Sequence, residues 1–196
     1  MPSQANNKLV VLDRDGTLNA DDSSIIASPD DWQALPGALE AVARLNQAGW
    51  RVVVATNQSG LGRGLFDMAT MNAVNAKMHK QLAQVGARVD AVFFCPHTRE
   101  DACDCRKPAP GLFLSIAQRF SVPARSLVVA GNTVRHIVAG ASLGAASHLL
   151  LTGKCAGYSA EAPPEGLPEG TPIHRDLGAF VDALLTASDA AQEANA

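Results

Sequence analysis

The sequence lacks the features that mark membrane, secreted and nucleic-acid-binding proteins. No apolar run in its 196 residues reaches the ~18 needed to span a bilayer. The first seven residues show no basic start followed by an apolar stretch, which argues against a secretory signal. The formal net charge is only −3, so no basic surface is predicted for nucleic acid or for a membrane. We therefore expect a cytoplasmic protein without nucleic-acid or membrane partners.

Cysteine is also scarce, and three of the four cysteines lie close together in the chain. In a reducing compartment, clustered cysteines bind a metal more often than they form disulfides. The length suits one domain with a sizeable core and is short for two. We expect a single domain over residues 1–185, followed by a small, polar and flexible tail over 186–196.

Short apolar runs alternate with helical patterns, which is typical of a parallel sheet covered on both faces. Strands are predicted at 8–12, 51–55, 91–94, 126–130 and 148–151, with a short edge strand at 171–174. Helices are predicted at about 36–45, 68–85, 110–120, 134–142 and 177–185. The predicted fold class is therefore α/β, with a doubly wound, Rossmann-like parallel sheet. The connections are too short for a large cap domain.

A pair of aspartates ends the first predicted strand. Asp13 and Asp15 are separated by one residue, so an extended backbone points both side chains the same way. In open α/β sheets, ligands bind beyond the carboxyl ends of the strands. Two carboxylates at this place suit a metal ion, and one of them can also attack an electrophile. Gly16 then permits a sharp turn and a close approach of the backbone to a ligand.

Polar and basic residues follow the second predicted strand. Thr56 and Asn57 come directly after it, where a hydroxyl and backbone amides can hold phosphate oxygens. Arg63 lies in the glycine-rich stretch that follows, and a guanidinium suits bidentate binding of an anion. A solvated arginine with no ligand is the alternative interpretation of Arg63.

The clustered cysteines predict a structural metal site. Cys95, His97, Cys103 and Cys105 lie within eleven residues and match the Cys₃His ligand set of zinc. Because the protein fills all four positions, we expect a closed, structural zinc site rather than a catalytic one. The loop leads directly into Arg106 and Lys107, so the metal would fix two cations at the rim of the site.

Taken together, these segments resemble the haloacid dehalogenase superfamily of phosphatases. The stretch 13–17 is similar to its first motif, 56–60 to its second and 106–108 to its third. The Cys/His loop is similar to the zinc loop of one branch, which contains D-glycero-D-manno-heptose 1,7-bisphosphate phosphatases and histidinol-phosphate phosphatases. The resemblance covers about residues 8–152.

The resemblance implies hydrolysis of a sugar phosphate monoester through an aspartyl-phosphate intermediate. Asp13 would be the nucleophile, and Asp15 would act as general acid and then general base. Thr56 would bind the phosphate, and Lys107 would neutralise both the phosphate and the nucleophile. The substrate-binding residues would be Asn57, Arg63 and Arg106. The implied cofactors are a catalytic Mg²⁺ and a structural Zn²⁺.

Two segments favour the heptose branch over the histidinol branch, namely Arg63-Gly64 and 108–111. The expected substrate is then D-glycero-D-manno-heptose 1,7-bisphosphate, a precursor of lipopolysaccharide core heptose, cleaved at C7 by a monomer. Residues 21–24 lack the Gly-Tyr segment often seen in heptose phosphatases, which counts against the sugar as substrate. A histidinol-phosphate phosphatase is the alternative within the branch.

The fourth motif departs from the family pattern. The superfamily has Gly-Asp with a second Asp four residues later, whereas this chain has Asn132 and His136 at those positions. Mg²⁺ would then be held by Asp13, the carbonyl of Asp15 and Asn132. Three interpretations stay open: a weakly held magnesium and a slow enzyme, another transition metal recruited by His136, or a pseudo-phosphatase that binds a phosphorylated ligand without turnover.

Overall fold

The computed structural model describes residues 8–21 and 25–193. Six parallel strands form one sheet in the order β3-β2-β1-β4-β5-β6. The strands are β1 (Leu9–Leu12), β2 (Arg51–Asn57), β3 (Ala91–Cys95), β4 (Val128–Gly131), β5 (Ala146–Leu150) and β6 (Ile173–His174). The helices are α1 (Ala38–Gln47), α2 (Ser59–Gly62), α3 (Met68–Gln84), α4 (Gly111–Phe120), α5 (Val134–Ala141) and α6 (Leu177–Glu193). The predicted doubly wound α/β fold is confirmed.

Strand β1 lies in the middle of the sheet and contributes to two apolar layers. Val10 and Leu12 pack into the layer covered by α1, α3 and α6. Leu9 and Val11 pack into the opposite layer, under α4 and α5. All four side chains are fully buried. This explains why the strand is a continuous apolar run rather than an alternating one.

The strand order reverses at β1, and this reversal creates the site. Leu12 pairs with Val54 of β2 on one side and with Ala130 of β4 on the other. Residues that follow these three positions therefore meet at one edge of the sheet. Such a switch point between neighbouring parallel strands is where ligands bind in open α/β sheets.

The C-terminal helix is longer than predicted. The helix was expected to end at Leu185 and to be followed by a flexible tail, but α6 continues to Glu193. The hydroxyls of Thr186 and Ser188 donate to the carbonyls of Asp182 and Leu184, one turn earlier, at 2.9 and 2.8 Å. Ala187 and Ala190 are strong helix formers, so the helix continues through a segment whose polarity resembled that of a tail. Residues 194–196 lie outside the described part of the chain.

Two histidines with no predicted partner lie side by side at the sheet edge. Nδ1 of His148 in β5 is 3.0 Å from Nε2 of His174 in β6. Both rings contact Phe180 of α6.

Within the described residues, no helix is long and apolar enough to cross a membrane.

Candidate active site

Asp13 and Lys107 form a buried ion pair at the end of β1. Lys107 Nζ lies 2.9 Å from Asp13 Oδ1, and both residues are almost fully buried. Burial alone would raise the pKa of Asp13, but the Lys107 charge and hydrogen bond and neighbouring positive groups lower it to about 2. Asp13 is therefore an ionised carboxylate held at the strand end.

His136 lies beneath this pair rather than beside an open metal position. Its Nδ1 is 2.8 Å from Lys107 Nζ and 3.6 Å from Asp13 Oδ2, and its Nε2 is 3.5 Å from the carbonyl of Val11. The ring is fully buried, in edge-to-face contact with Phe113. Burial and the Lys107 charge lower the pKa of His136 to about 3. Both ring nitrogens face protein groups, so this geometry does not support the interpretation that His136 recruits a metal.

Asp15 is held by its neighbour Arg14. Arg14 Nε donates to Asp15 Oδ1 at 2.9 Å and Arg14 Nη2 to Asp15 Oδ2 at 3.1 Å, a bidentate pair. Arg14 is itself buried and donates to Asn75 Oδ1 of α3 at 3.4 Å. Asp13 and Asp15 line the same polar cavity of about 210 Å³. The role of Arg14 was missed, although its position between the two aspartates was a signal.

Gln58 connects the second strand to the carboxylates. Its Nε2 donates to Thr56 Oγ1 at 2.8 Å and to Asp15 Oδ2 at 3.0 Å. Thr56 is buried at the cavity wall, and because its oxygen accepts from Gln58, its hydroxyl proton can point to a ligand. This role of Gln58 was not predicted, although the residue lies inside the second motif.

The side chain of Asn57 holds the backbone of Lys107. Its Nδ2 donates to the carbonyl of Lys107 at 3.1 Å, and its Oδ1 accepts from the Lys107 amide at 3.2 Å. These two hydrogen bonds position the lysine. Asn57 also lines the polar cavity. Its expected part in substrate binding rested on the backbone amides at the strand end, and that stays a prediction.

Cations surround the mouth of the polar cavity. Arg63 and Arg106, the arginines expected to bind substrate, both line it. Arg63 is exposed, while Arg106 Nη1 donates to the carbonyl of His97 at 3.0 Å and is thereby tied to the Cys/His loop. Arg135 of α5 and Lys154 also line the cavity, and neither was predicted. Arg135, Lys154 and Arg106 also line a neighbouring, mostly apolar cavity of about 830 Å³.

Asn132 follows β4 and is fully buried. Its Oδ1 accepts from Thr17 Oγ1 at 3.3 Å, and its Nδ2 has no acceptor among the described residues. The amide packs against Gly16, where a Cβ would lie 1.9 Å from Asn132 Nδ2. Gly16 also has a φ of +79°, which favours glycine. The close approach of these two residues joins the ends of β1 and β4.

The four predicted zinc ligands converge in the loop after β3. The donor atoms of Cys95, His97, Cys103 and Cys105 all lie within 4.8 Å of one another. The closest sulfur pairs are separated by 3.3 to 3.6 Å. A tetrahedral zinc with Zn–S bonds of ~2.3 Å places its ligands ~3.8 Å apart, so the cluster is close to that size. In 8–21 and 25–193, no other group of three or more His, Cys, Asp or Glu side chains could hold a metal.

The Cys/His loop is packed between two helices. Gly62 of α2 donates to the carbonyl of Pro96 at 3.1 Å, and Gly111 of α4 donates to the carbonyl of Asp104 at 3.0 Å. A Cβ at either glycine would lie 2.5 Å from the carbonyl oxygen it bonds. The loop therefore fixes the start of the segment that carries Arg106 and Lys107.

Family models match two overlapping parts of the chain. The polynucleotide kinase 3 phosphatase model matches residues 8–139, and a HAD-hydrolase-like model matches residues 104–179. Among curated proteins, the D-glycero-β-D-manno-heptose-1,7-bisphosphate 7-phosphatase of Bordetella bronchiseptica is 51% identical, covering 91% of this chain and 98% of the relative. The protein of the same name from Pseudomonas aeruginosa is 41% identical, covering 90% and 97%.

Solved structures give the same result. The D,D-heptose 1,7-bisphosphate phosphatase of B. bronchiseptica, in complex with magnesium and phosphate, has a TM-score of 0.86 and 50% identity, covering 92% of this chain and 99% of that one. The phosphatase of the same name from Burkholderia thailandensis has a TM-score of 0.71 and 52% identity, covering 91% and 98%. Both similarities extend over nearly the whole of each chain.

Proposed function

Because the chain belongs to the haloacid dehalogenase-like phosphatases, in the branch of the D,D-heptose 1,7-bisphosphate phosphatases, we propose that it removes the C7 phosphate of D-glycero-β-D-manno-heptose 1,7-bisphosphate. The observation that carries the proposal is the buried Asp13–Lys107 ion pair at the polar cavity. An ionised carboxylate at the switch point of the sheet is in place to attack a phosphorus atom.

Asp13 acts as the nucleophile in this proposal. One carboxylate oxygen attacks phosphorus in line with the leaving sugar oxygen, which gives an aspartyl-phosphate and releases the sugar. The Lys107 ammonium stays beside Asp13 and stabilises the negative charge of the transferring phosphoryl group. Asn57 keeps the lysine in register by its two hydrogen bonds to the lysine backbone.

Asp15 supplies and removes the protons. It gives a proton to the leaving alkoxide in the first step and takes one from the attacking water in the second. Arg14 and Gln58 fix the orientation of its carboxylate. Gln58 also orients the hydroxyl of Thr56 toward the cavity, where it can donate to a phosphate oxygen.

The Cys/His cluster is assigned to zinc. Three thiolates and one imidazole are the soft donor set that zinc takes in closed structural sites. Its contribution is to hold Arg106 and Lys107 in place, since the loop that contains the four ligands leads directly into both residues.

The residues expected to hold Mg²⁺ do not form a good site for it. Mg²⁺ prefers charged oxygen ligands. Here Asp13 is already paired with Lys107, and Asn132 is neutral, with its oxygen engaged by Thr17. The carbonyl of Asp15 adds no charge. We therefore assign no step of the mechanism to a magnesium ion.

Turnover of purified protein on three substrates tests the proposed function: the heptose 1,7-bisphosphate, the heptose 1-phosphate and histidinol phosphate. We expect the bisphosphate to be the preferred substrate and to lose one phosphate. Asp13→Asn should lower turnover on the order of a thousandfold or more, because the covalent route is lost. Asp189→Asn, an exposed residue of α6, is the matched control and should be unaffected. Equal turnover of Asp13→Asn and wild type would refute the nucleophile.

A further inference from the structure

The polar cavity carries an excess of positive charge. Three carboxylates line it, namely Asp13, Asp15 and Asp21. Six cations lie close to these carboxylates. Four of them line the cavity: Arg63, Arg106, Arg135 and Lys154. The other two, Lys107 and Arg14, form ion pairs with Asp13 and Asp15. The formal excess is therefore three positive charges. A phosphate monoester brings about two negative charges at neutral pH, so the protein can balance it without a further cation.

The two residues at the end of β4 carry no negative charge into this site. Asn132 is an amide. The Lys107 ammonium has only hydrogens to offer, so Nδ1 of His136 must accept from it at 2.8 Å, and the imidazole is neutral. Acids at positions 132 and 136 would cancel two of the three excess positive charges. A bound dication would then bring the formal charge of the site back to the same value. The neutral pair therefore gives, with no metal, the same formal charge as two acids with one dication.

The unpartnered polar atoms here are hydrogen-bond donors. Asn132 Nδ2 and Arg135 Nε are buried, and among the described residues they have no acceptor. Buried donors without partners are rare and costly. A donor of this kind repels a cation and attracts an anion. Arg135 lines the polar cavity from the first turn of α5, and its charge acts on both Asp13 and Lys107.

We propose that this chain holds the phosphate of its substrate with protein cations, with Arg135 at the wall of the polar cavity and Lys107 acting by its charge behind Asp13, so that phosphate binding does not depend on a divalent metal ion. The inference rests on the proposed function only in placing the phosphate group in the polar cavity. It assigns to Arg135 a direct contact with the phosphate, and it gives the altered fourth motif a positive role in charge balance.

Calorimetric titration with inorganic phosphate tests the inference directly. The protein keeps its zinc and is transferred without chelator into magnesium-free buffer, with metal content checked by elemental analysis. We expect the phosphate dissociation constant to differ by less than about twofold between this buffer and one with millimolar Mg²⁺. Phosphate binding that requires Mg²⁺, or no binding in either buffer, would overturn the inference.

Two variants sharpen the test. Asn132→Asp should weaken phosphate binding about tenfold without Mg²⁺ and recover it when Mg²⁺ is added, because the new charge must be balanced. Arg135→Gln should weaken binding about tenfold in both buffers. Arg119→Gln, an exposed arginine of α4, is the control and should bind as wild type does. Circular dichroism verifies the fold, and Arg135→Gln decides the matter if Asn132→Asp does not fold.

Parallel turnover measurements separate the inference from the proposed function. Phosphate binding without Mg²⁺ in a protein that hydrolyses no heptose bisphosphate supports the inference and refutes the hydrolysis. Hydrolysis of the heptose bisphosphate by a protein that binds phosphate only in the presence of Mg²⁺ supports the proposed function and refutes the inference. Wild-type affinity in both Arg135→Gln and Asn132→Asp, without Mg²⁺, contradicts the charge argument.

Discussion

The two regions of this protein that were expected to bind a metal differ in how their ligands are assembled. The Cys/His loop takes all four donors from residues 95–105, and their donor atoms lie within 4.8 Å of one another. The site at the sheet edge takes its groups from the ends of three strands and from the segment that carries Lys107. There the Asp13 carboxylate already has a lysine partner.

The difference shows how far a donor pattern specifies a site. In the loop, spacing and chemistry together determine the ligand set, and the fold only has to allow the loop to close. At the sheet edge, the neighbouring side chains determine whether a metal-binding group is available. Lys107 forms an ion pair with Asp13, and Thr17 donates a hydrogen bond to Asn132. A metal centre assembled across strands is therefore open to replacement by protein charges, whereas one built within a loop is not.

The largest effect on stability is expected at the loop. Cys105→Ser should reduce bound zinc from one per chain to near zero and lower the free energy of unfolding by about 3 kcal/mol or more, since metal binding contributes directly to folding. Cys155→Ala is the control. Cys155 is also buried but packs with Ile137 and Leu149 outside the cluster, so zinc should be retained. Elemental analysis and thermal melts measure both, and full zinc in Cys105→Ser would contradict the assignment.

A smaller effect is expected where the ends of β1 and β4 meet. Gly16→Ala should destabilise by about 2–4 kcal/mol, because of its positive φ and because its Cβ would lie 1.9 Å from Asn132 Nδ2. Chemical denaturation gives the difference in free energy.

Gly64 provides the matched control for this prediction. It has a φ of +66° and nothing within 4 Å of a Cβ, so Gly64→Ala reports the backbone strain alone, about 1 kcal/mol. The double variant Gly16→Ala with Asn132→Ala should recover the remainder, since the three nearest atoms all belong to Asn132. Equal losses at Gly16 and Gly64 would show that the two strand ends are not tightly joined.

The smallest expected effect is a difference in how the two regions respond to falling pH. Zinc binding competes with protons for the three thiolates and the imidazole, so zinc should leave the loop as the pH falls. The pKa of Asp13 is lowered from 3.8 to about 2. The stability that its charge contributes is therefore present above pH 3.8 and is lost as the pH falls through 2. Two quantities are measured against pH: the zinc bound per chain, and the difference in free energy of unfolding between wild type and Asp13→Asn. They should change at separate pH values. A shared midpoint would contradict this expectation.

The sequence predicted those parts of the molecule that depend on local pattern. The buried run of β1 and the donors of the Cys/His loop are contiguous, so periodicity and spacing reveal them. Contacts between distant segments could not be predicted in this way. Asn57 holds the backbone of Lys107, and His148 pairs with His174, only because the sheet order brings their strands or loops together. Arg14, Gln58 and Arg135 lie within motifs, but their partners become known only from the fold.

The shared wall between the two cavities has a consequence for inhibitor design. Arg106, Arg135 and Lys154 line both the polar cavity and the larger apolar one. A phosphonate head group in the first cavity could carry an apolar arm across these cations into the second. Linking the two parts would make the second contact intramolecular, which can raise affinity far beyond that of either fragment. The arm would meet Val138 and Tyr158, so compounds could be made selective without mimicking a sugar.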